Sequence, residues 1–299
     1  MPRNIFKKIG WFFVSILPAF LSLALQFGAA FLIMFVITLM AFSGYYGAGL
    51  SQDEIMQVVQ TVYSENMIWV VAGYQLIGIV IFGLWYYLVW GRKKRAQNVE
   101  KPGAKGIFAI ILLGILLQAF ISGALGILDT AFPSLMKNYK EIMEAAGLVE
   151  MNAIAILATG IMAPVGEELL CRGIMFRLAG KVSDKFWVAN CIQALAFGII
   201  HANLVQGTYA FFLGLILGYI YGKYRNIWLC MLLHASVNLS ANFIEYLWEA
   251  LPEQNGMLFV GLICAGCLAF IVLIYLLLGK IKPLEEAGET IGGIEEMRQ

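Results

Sequence analysis

Apolar positions in this chain fall into long continuous runs, neither the three-and-four spacing of a surface helix nor the alternation of a half-buried strand. Runs near the roughly 20 residues that carry a helix across a hydrocarbon layer about 30 Å thick occur at 11–42, 67–90, 107–128, 151–178, 186–201, 208–222, 227–248 and 257–279. The pattern predicts an all-α polytopic transmembrane helical bundle of about eight spans, one membrane domain over residues 1–299. The first run follows Arg3, Lys7 and Lys8, but it is too long for a signal peptide and lacks a small-residue cleavage site.

The polar segments between the runs assign sides. Lysine and arginine accumulate in loops that stay cytoplasmic. Starting inside, the inner segments collect Arg3, Lys7 and Lys8; Arg92, Lys93, Lys94, Arg95, Lys101 and Lys105; Lys181 and Lys185; Lys223 and Arg225; and Lys280, Lys282 and Arg298. The outer segments hold only Lys137 and Lys140. Both termini are therefore expected in the cytoplasm, and the protein in the plasma membrane if it is bacterial. Two outer segments, 43–66 and 129–150, are too long for turns and carry intermittent helical patterning, which suggests short interfacial helices. The acidic stretch 283–299 reads as a solvated cytoplasmic tail.

Composition strengthens this picture. Of 299 residues, 61% are hydrophobic and 13% charged, whereas soluble domains are about a quarter charged. A net charge of +1 gives no bulk attraction for nucleic acid. The five cysteines lie within apolar runs, and the Cys264/Cys267 CxxC is read as packing. Gly214, Gly218 and Gly222 recur every four residues and offer a face for close helix packing.

Charge inside a bilayer is costly and usually functional. The fourth run contains Ala163-Pro164-Val165-Gly166-Glu167-Glu168-Leu169-Leu170-Cys171-Arg172, with Pro164 and Gly166 placed to kink the helix. Glu168 and Arg172 are four apart on one helix face, where they can pair. Glu167 lies about 100° round the helix with no basic residue three or four positions away, so it is the carboxylate left free for general-base work. The chain's two histidines, His201 in Phe197-Gly198-Ile199-Ile200-His201 and His234 in His234-Ala235-Ser236-Val237-Asn238, sit inside spans. Histidine is the usual proton shuttle and metal ligand, and convergence of three spans on Glu, His and His/Asn favours a site over isolated structural histidines.

EExxxR, FxxxH and HxxxN, in that order on successive membrane helices, resemble the CPBP family, which includes CAAX prenyl endopeptidases and bacterial Abi-type bacteriocin-immunity proteins. The resemblance runs from about Ala163 to Asn238, within a motif-bearing core of about 151–248. It implies an intramembrane endopeptidase in which Glu167 activates water beside His201, His234 and Asn238 stabilise the oxyanion or hold the water, and Glu168 and Arg172 support the site. The implied partners are the lipid bilayer and a peptide, prenylated or membrane-protein substrate. Glu167, His201 and His234 would supply ligands enough for a catalytic zinc. No HExxH is present, and a base is a poor first ligand, so water activated by glutamate without an obligatory metal is the expectation. Nothing in the pattern specifies an oligomeric state.

Two other readings remain: a non-proteolytic immunity or partner-binding protein that keeps the motifs, and a transporter using Glu, Arg and His as an ion path. The second lacks an internal repeat. Counted at 1.5 Å per residue from the inner ends, His234 lies about 10 Å deep while Glu167 and His201 lie about 20 Å deep. Alignment therefore requires tilt or a distorted fourth span, and the site is expected to open toward the cytoplasm.

Overall fold

The computed structural model describes residues 2–44, 49–91, 103–147, 152–249 and 256–278. The proposed tail at 283–299 lies outside them. The described residues form helices and no strands, in chain order α1 (Pro2–Gly44), α2 (Gln52–Trp90), α3 (Ala104–Ala131), α4 (Pro133–Ala145), α5 (Ala153–Ala179), α6 (Phe186–Ile199), α7 (Leu204–Tyr224), α8 (Ile227–Glu249) and α9 (Gly256–Leu278). Five of these, α1, α2, α3, α5 and α7, are long and apolar enough to cross a bilayer, and shorter apolar stretches occur in α6, α8 and α9. The protein is thus an integral membrane helical bundle, with about eight spans as the apolar runs predict.

Helix α5 is the centre. Half of its most apolar window is buried, against 6% of that of α1, whose Phe6, Phe13, Phe20, Phe27 and Phe31 are all exposed. Apolar exposure of this kind is stable only against lipid tails, so α1 faces the bilayer. It packs on α2 and on α5, while α8 packs on α3, α7 and α5. At about 1.5 Å per residue the 43 residues of α1 exceed the hydrocarbon thickness, which calls for tilt or projection.

The two outer segments behave differently. Residues 129–150 do contain a separate short helix, α4, begun by Pro133 at its first turn, where a proline costs no hydrogen bond. Residues 43–66 do not: Ser51 and Glu54 form a reciprocal capping box, and the helix that starts at Gln52 runs straight into the second span. The expected interfacial helix there is the outer end of α2.

The small-residue face of α7 packs as expected. A side chain at Gly214 would press on Ala194, one at Gly218 on the amides of Asn190 and Gln193, and one at Gly222 on Phe186. Where α6 ends and α7 begins the two helices cross backbone against backbone, each of Gly198 and Gly207 placing its carbonyl where the other's Cβ would be, at 2.6 and 2.7 Å. This crossing anchors the turn that carries His201. The CxxC cysteines, Cys264 and Cys267, are buried and unbridged, in keeping with packing.

Candidate intramembrane active site

The continuous fourth span predicted by hydropathy is a broken helix. Helix α5 contains π turns at Ala158–Met162 and Leu169–Met175, with a short α segment, Ala163–Glu168, between them. A π turn re-aims the residues that follow it and is frequent at functional sites. Here the two turns bracket Glu167 and Glu168, and this distortion is what brings side chains counted at different depths together.

Glu168 and Arg172 are both fully buried. Arg172 Nη1 donates to Glu168 Oε1 at 2.8 Å, as the spacing predicts, and Nη2 donates to the Gly214 carbonyl on α7 at 2.8 Å. Gln193 on α6 donates to the same carbonyl at 2.9 Å. One guanidinium thus ties α5 to α7, and a buried ion pair is tolerated because each charge meets further polar groups. The unexpected partner is His234. Its Nδ1 lies 2.9 Å from the same Glu168 Oε1. A carboxylate held by a guanidinium accepts, so His234 Nδ1 carries the proton, and Nε2 presents its lone pair when the ring is neutral. Glu168 is therefore also the group that sets the tautomer and orientation of His234.

That lone pair faces the other glutamate. Glu167 Oε2 stands 3.7 Å from His234 Nε2, with the Glu167 side chain 20% exposed and His234 3%. With that ring neutral and Glu167 ionised, both atoms are acceptors and do not bond each other. A molecule that donates two O–H bonds, such as water, would satisfy both from a position to one side of the pair.

His201 is placed differently from the expectation of a span reaching 201. Helix α6 ends at Ile199, and His201 lies in the turn that follows, closed by Ala202 in the left-handed region (φ 51°) and by Asn203, whose side chain caps α7 through the Gln206 N–H. A left-handed non-glycine residue is uncommon and concentrates at functional segments. His201 Nδ1 donates to the Phe197 carbonyl at 2.7 Å, which leaves its Nε2 unprotonated when the ring is neutral. Both imidazoles stand edge-on to one phenyl ring, that of Phe197, at centroid distances of 4.9 Å for His201 and 5.7 Å for His234. Arg172 lies over the same ring at 5.2 Å. Phe197, 1% exposed, is the common wall of the site.

Asn238 does not join this group directly. Its Nδ2 donates to the Thr159 carbonyl of α5 at 2.8 Å, one turn along α8 from His234. The conditional zinc set of Glu167, His201 and His234 is not assembled either: among the described residues no three His, Cys, Asp or Glu side chains gather into a metal-binding group.

Polar residues outside the motifs also reach the site. Tyr74 lies on α2 and Tyr209 on α7, the helices beside α5 and α6. The Tyr74 hydroxyl accepts from Gln75 Nε2 at 3.2 Å, leaving its own proton to donate. Gly166 admits this edge of α2, since a Cβ there would sit 3.5 Å from Gln75 Oε1. Tyr209 Oη lies 3.5 Å from Tyr139 Oη on α4, and burial pushes the Tyr139 phenol up. Gln75, a buried amide in an otherwise apolar run, was the sequence signal for this side of the site.

Comparison with known proteins agrees with the motifs. A protein of Bacillus subtilis (strain 168) named "Putative membrane peptidase YdiL" is 22% identical over 148 residues, 49% of this chain and 59% of the relative. The chain thus spans less than two thirds of that relative's length. No solved structure matches. Residues 149–240, which carry Glu167, Glu168, Arg172, His201, His234 and Asn238, match the family described as type II CAAX prenyl endopeptidase Rce1-like, the family grouping that the three motifs resemble.

Proposed function

We propose that this protein is an intramembrane endopeptidase that hydrolyses a peptide bond with water activated by Glu167. The observation that carries the reading is the pair of facing acceptors, Glu167 Oε2 and His234 Nε2, 3.7 Å apart, with His234 locked in orientation by buried Glu168. A water bridging them gives one O–H to each. Glu167 takes a proton as the water oxygen attacks the carbonyl carbon, forming the C–O bond and placing negative charge on the carbonyl oxygen. Collapse of the tetrahedral intermediate breaks the C–N bond, and the proton held by Glu167 passes to the leaving nitrogen.

Donors for the oxyanion come from the surrounding walls. The Tyr74 hydroxyl has an unspent proton, and the exposed nitrogen of His201 donates whenever that ring is protonated. Exclusion of bulk water by the apolar bundle strengthens each of these interactions. The Rce1-like match supports a protein or peptide substrate presented at the membrane, with a prenylated CAAX terminus the first candidate. The lysine and arginine bias supports a cytoplasmic position for both termini.

The test is cleavage of a farnesylated CAAX peptide and a panel of membrane peptides by purified protein in detergent. Glu167→Gln is expected to lower kcat by about 100-fold or more, the usual worth of a positioned base, with an unchanged unfolding midpoint. Equal cleavage by wild type and variant would refute the assignment. A requirement for a proton gradient would point to transport instead.

A further inference from the structure

The first π turn of α5 leaves a defined gap in its own hydrogen bonding. In this register each N–H reaches the carbonyl five residues back, and the Ala163 N–H bonds the Ala158 carbonyl. The next donor in register belongs to residue 164, and its acceptor is the Thr159 carbonyl. Residue 164 is proline, which has no N–H. Thr159 cannot repair this itself, because its hydroxyl donates to the Ala155 carbonyl at 2.7 Å. In hydrocarbon such a carbonyl needs a partner from a neighbouring helix or a water-lined cavity.

Asn238 does so from α8, donating Nδ2–H to the Thr159 carbonyl at 2.8 Å. We propose that Asn238 is a positioning residue: it stands in for the N–H that Pro164 lacks, and by pinning the π turn to α8 it holds Glu167 opposite His234. The two α5–α8 links have reversed order, Thr159 with Asn238 and Glu167/Glu168 with His234, as expected for antiparallel helices. His234 and Asn238 share a face of α8 four residues apart. Losing the Asn238 link frees the turn immediately before the catalytic glutamate. This assignment differs from the oxyanion role implied by the motif resemblance, and only its activity arm rests on the peptidase reading.

Pro164 makes the assignment testable, because Pro164→Ala restores a backbone N–H in the register of the Thr159 carbonyl. Thermal unfolding in detergent is to be compared for wild type, Asn238→Ala, Asn238→Leu, Pro164→Ala and the double variant Pro164→Ala/Asn238→Ala. Each Asn238 variant is expected to lower the midpoint by about 2–4 °C, the shift typical of one buried polar contact in a chain of this size. Pro164→Ala in the Asn238→Ala background is expected to recover most of that loss. Additive losses would overturn the proposal.

Peptide cleavage supplies the second readout. Asn238→Ala is expected to lower kcat with little change in KM and to alter the pH–rate profile, and Pro164→Ala is expected to restore both. Stability restored without cleavage would show that Asn238 touches the substrate, and positioning would be wrong. Absence of cleavage even in wild type would sink the peptidase reading while the stability coupling still decides the role of Asn238.

Discussion

Arg172 offers a severe test of how the site is held. It and Glu168 are both 0% exposed and meet at 2.8 Å. Arg172→Met keeps most of the side-chain volume but removes the charge. Gly214 keeps the bond from Gln193, so that carbonyl is not orphaned. Glu168 is, since His234 alone cannot compensate a buried carboxylate. Removing one partner of a buried pair costs about 3–5 kcal/mol, and the lost contact with the Phe197 face adds about 0.5–2 kcal/mol. At 1.4 kcal/mol per factor of ten, the folded-to-unfolded ratio falls by about 300-fold to 100,000-fold. Adding Glu168→Gln removes the stranded charge while leaving an acceptor for His234 Nδ1, so the double variant is expected to regain at least about 2 kcal/mol. The assay is equilibrium unfolding in mixed micelles followed by tryptophan fluorescence, run as a double-mutant cycle. An Arg172→Met cost below about 1 kcal/mol, or strict additivity with Glu168→Gln, would refute the reasoning.

Phe197→Ala is expected to cost about 3–5 kcal/mol in the same assay, because the ring is 1% exposed, and to reduce cleavage by freeing both imidazoles; full activity in a folded variant would contradict its role as common wall. Gly218→Ala drives a methyl group into the Asn190 and Gln193 amides and is expected to lose about 1–3 kcal/mol by overpacking. Gly28→Ala on α1 meets nothing within 4 Å and is expected to be neutral or slightly stabilising, so equal effects at the two glycines would count against the packing described. Chelator added during cleavage is expected to leave the rate unchanged, and a loss restored by zinc would reassign Glu167 from base to ligand.

What could be read in advance follows the range of each interaction. The spans were legible because a run of apolar residues records its own burial in lipid, and the Glu168–Arg172 pair because helix geometry alone brings positions four apart together. The bond from His234 to Glu168 crosses 66 residues of chain and leaves no local signature. Nor do the π turns of α5, which no residue spacing in the fourth run announces. Ser51-Gln52-Asp53-Glu54 is a readable helix start, and it explains why residues 52–66 extend α2 instead of forming a helix of their own. The mixed fate of the metal set has a similar cause: Glu167, His201 and His234 were counted as one ligand group, but His201 sits on a turn whose direction is set by Ala202 and the Gly198/Gly207 crossing.

Whether water held at Glu167 is the nucleophile can be asked of a single turnover in ¹⁸O-labelled water. With enzyme in excess over a cleavable membrane peptide, mass spectrometry would read both the newly formed carboxylate of the product and the protein fragment containing Glu167. Direct attack predicts one ¹⁸O in the product carboxylate, none in Glu167, and product from Glu167→Gln formed more slowly by about 100-fold or more. Label appearing in Glu167, or labelled product formed at the wild-type rate by Glu167→Gln, would contradict a glutamate-activated water at this site.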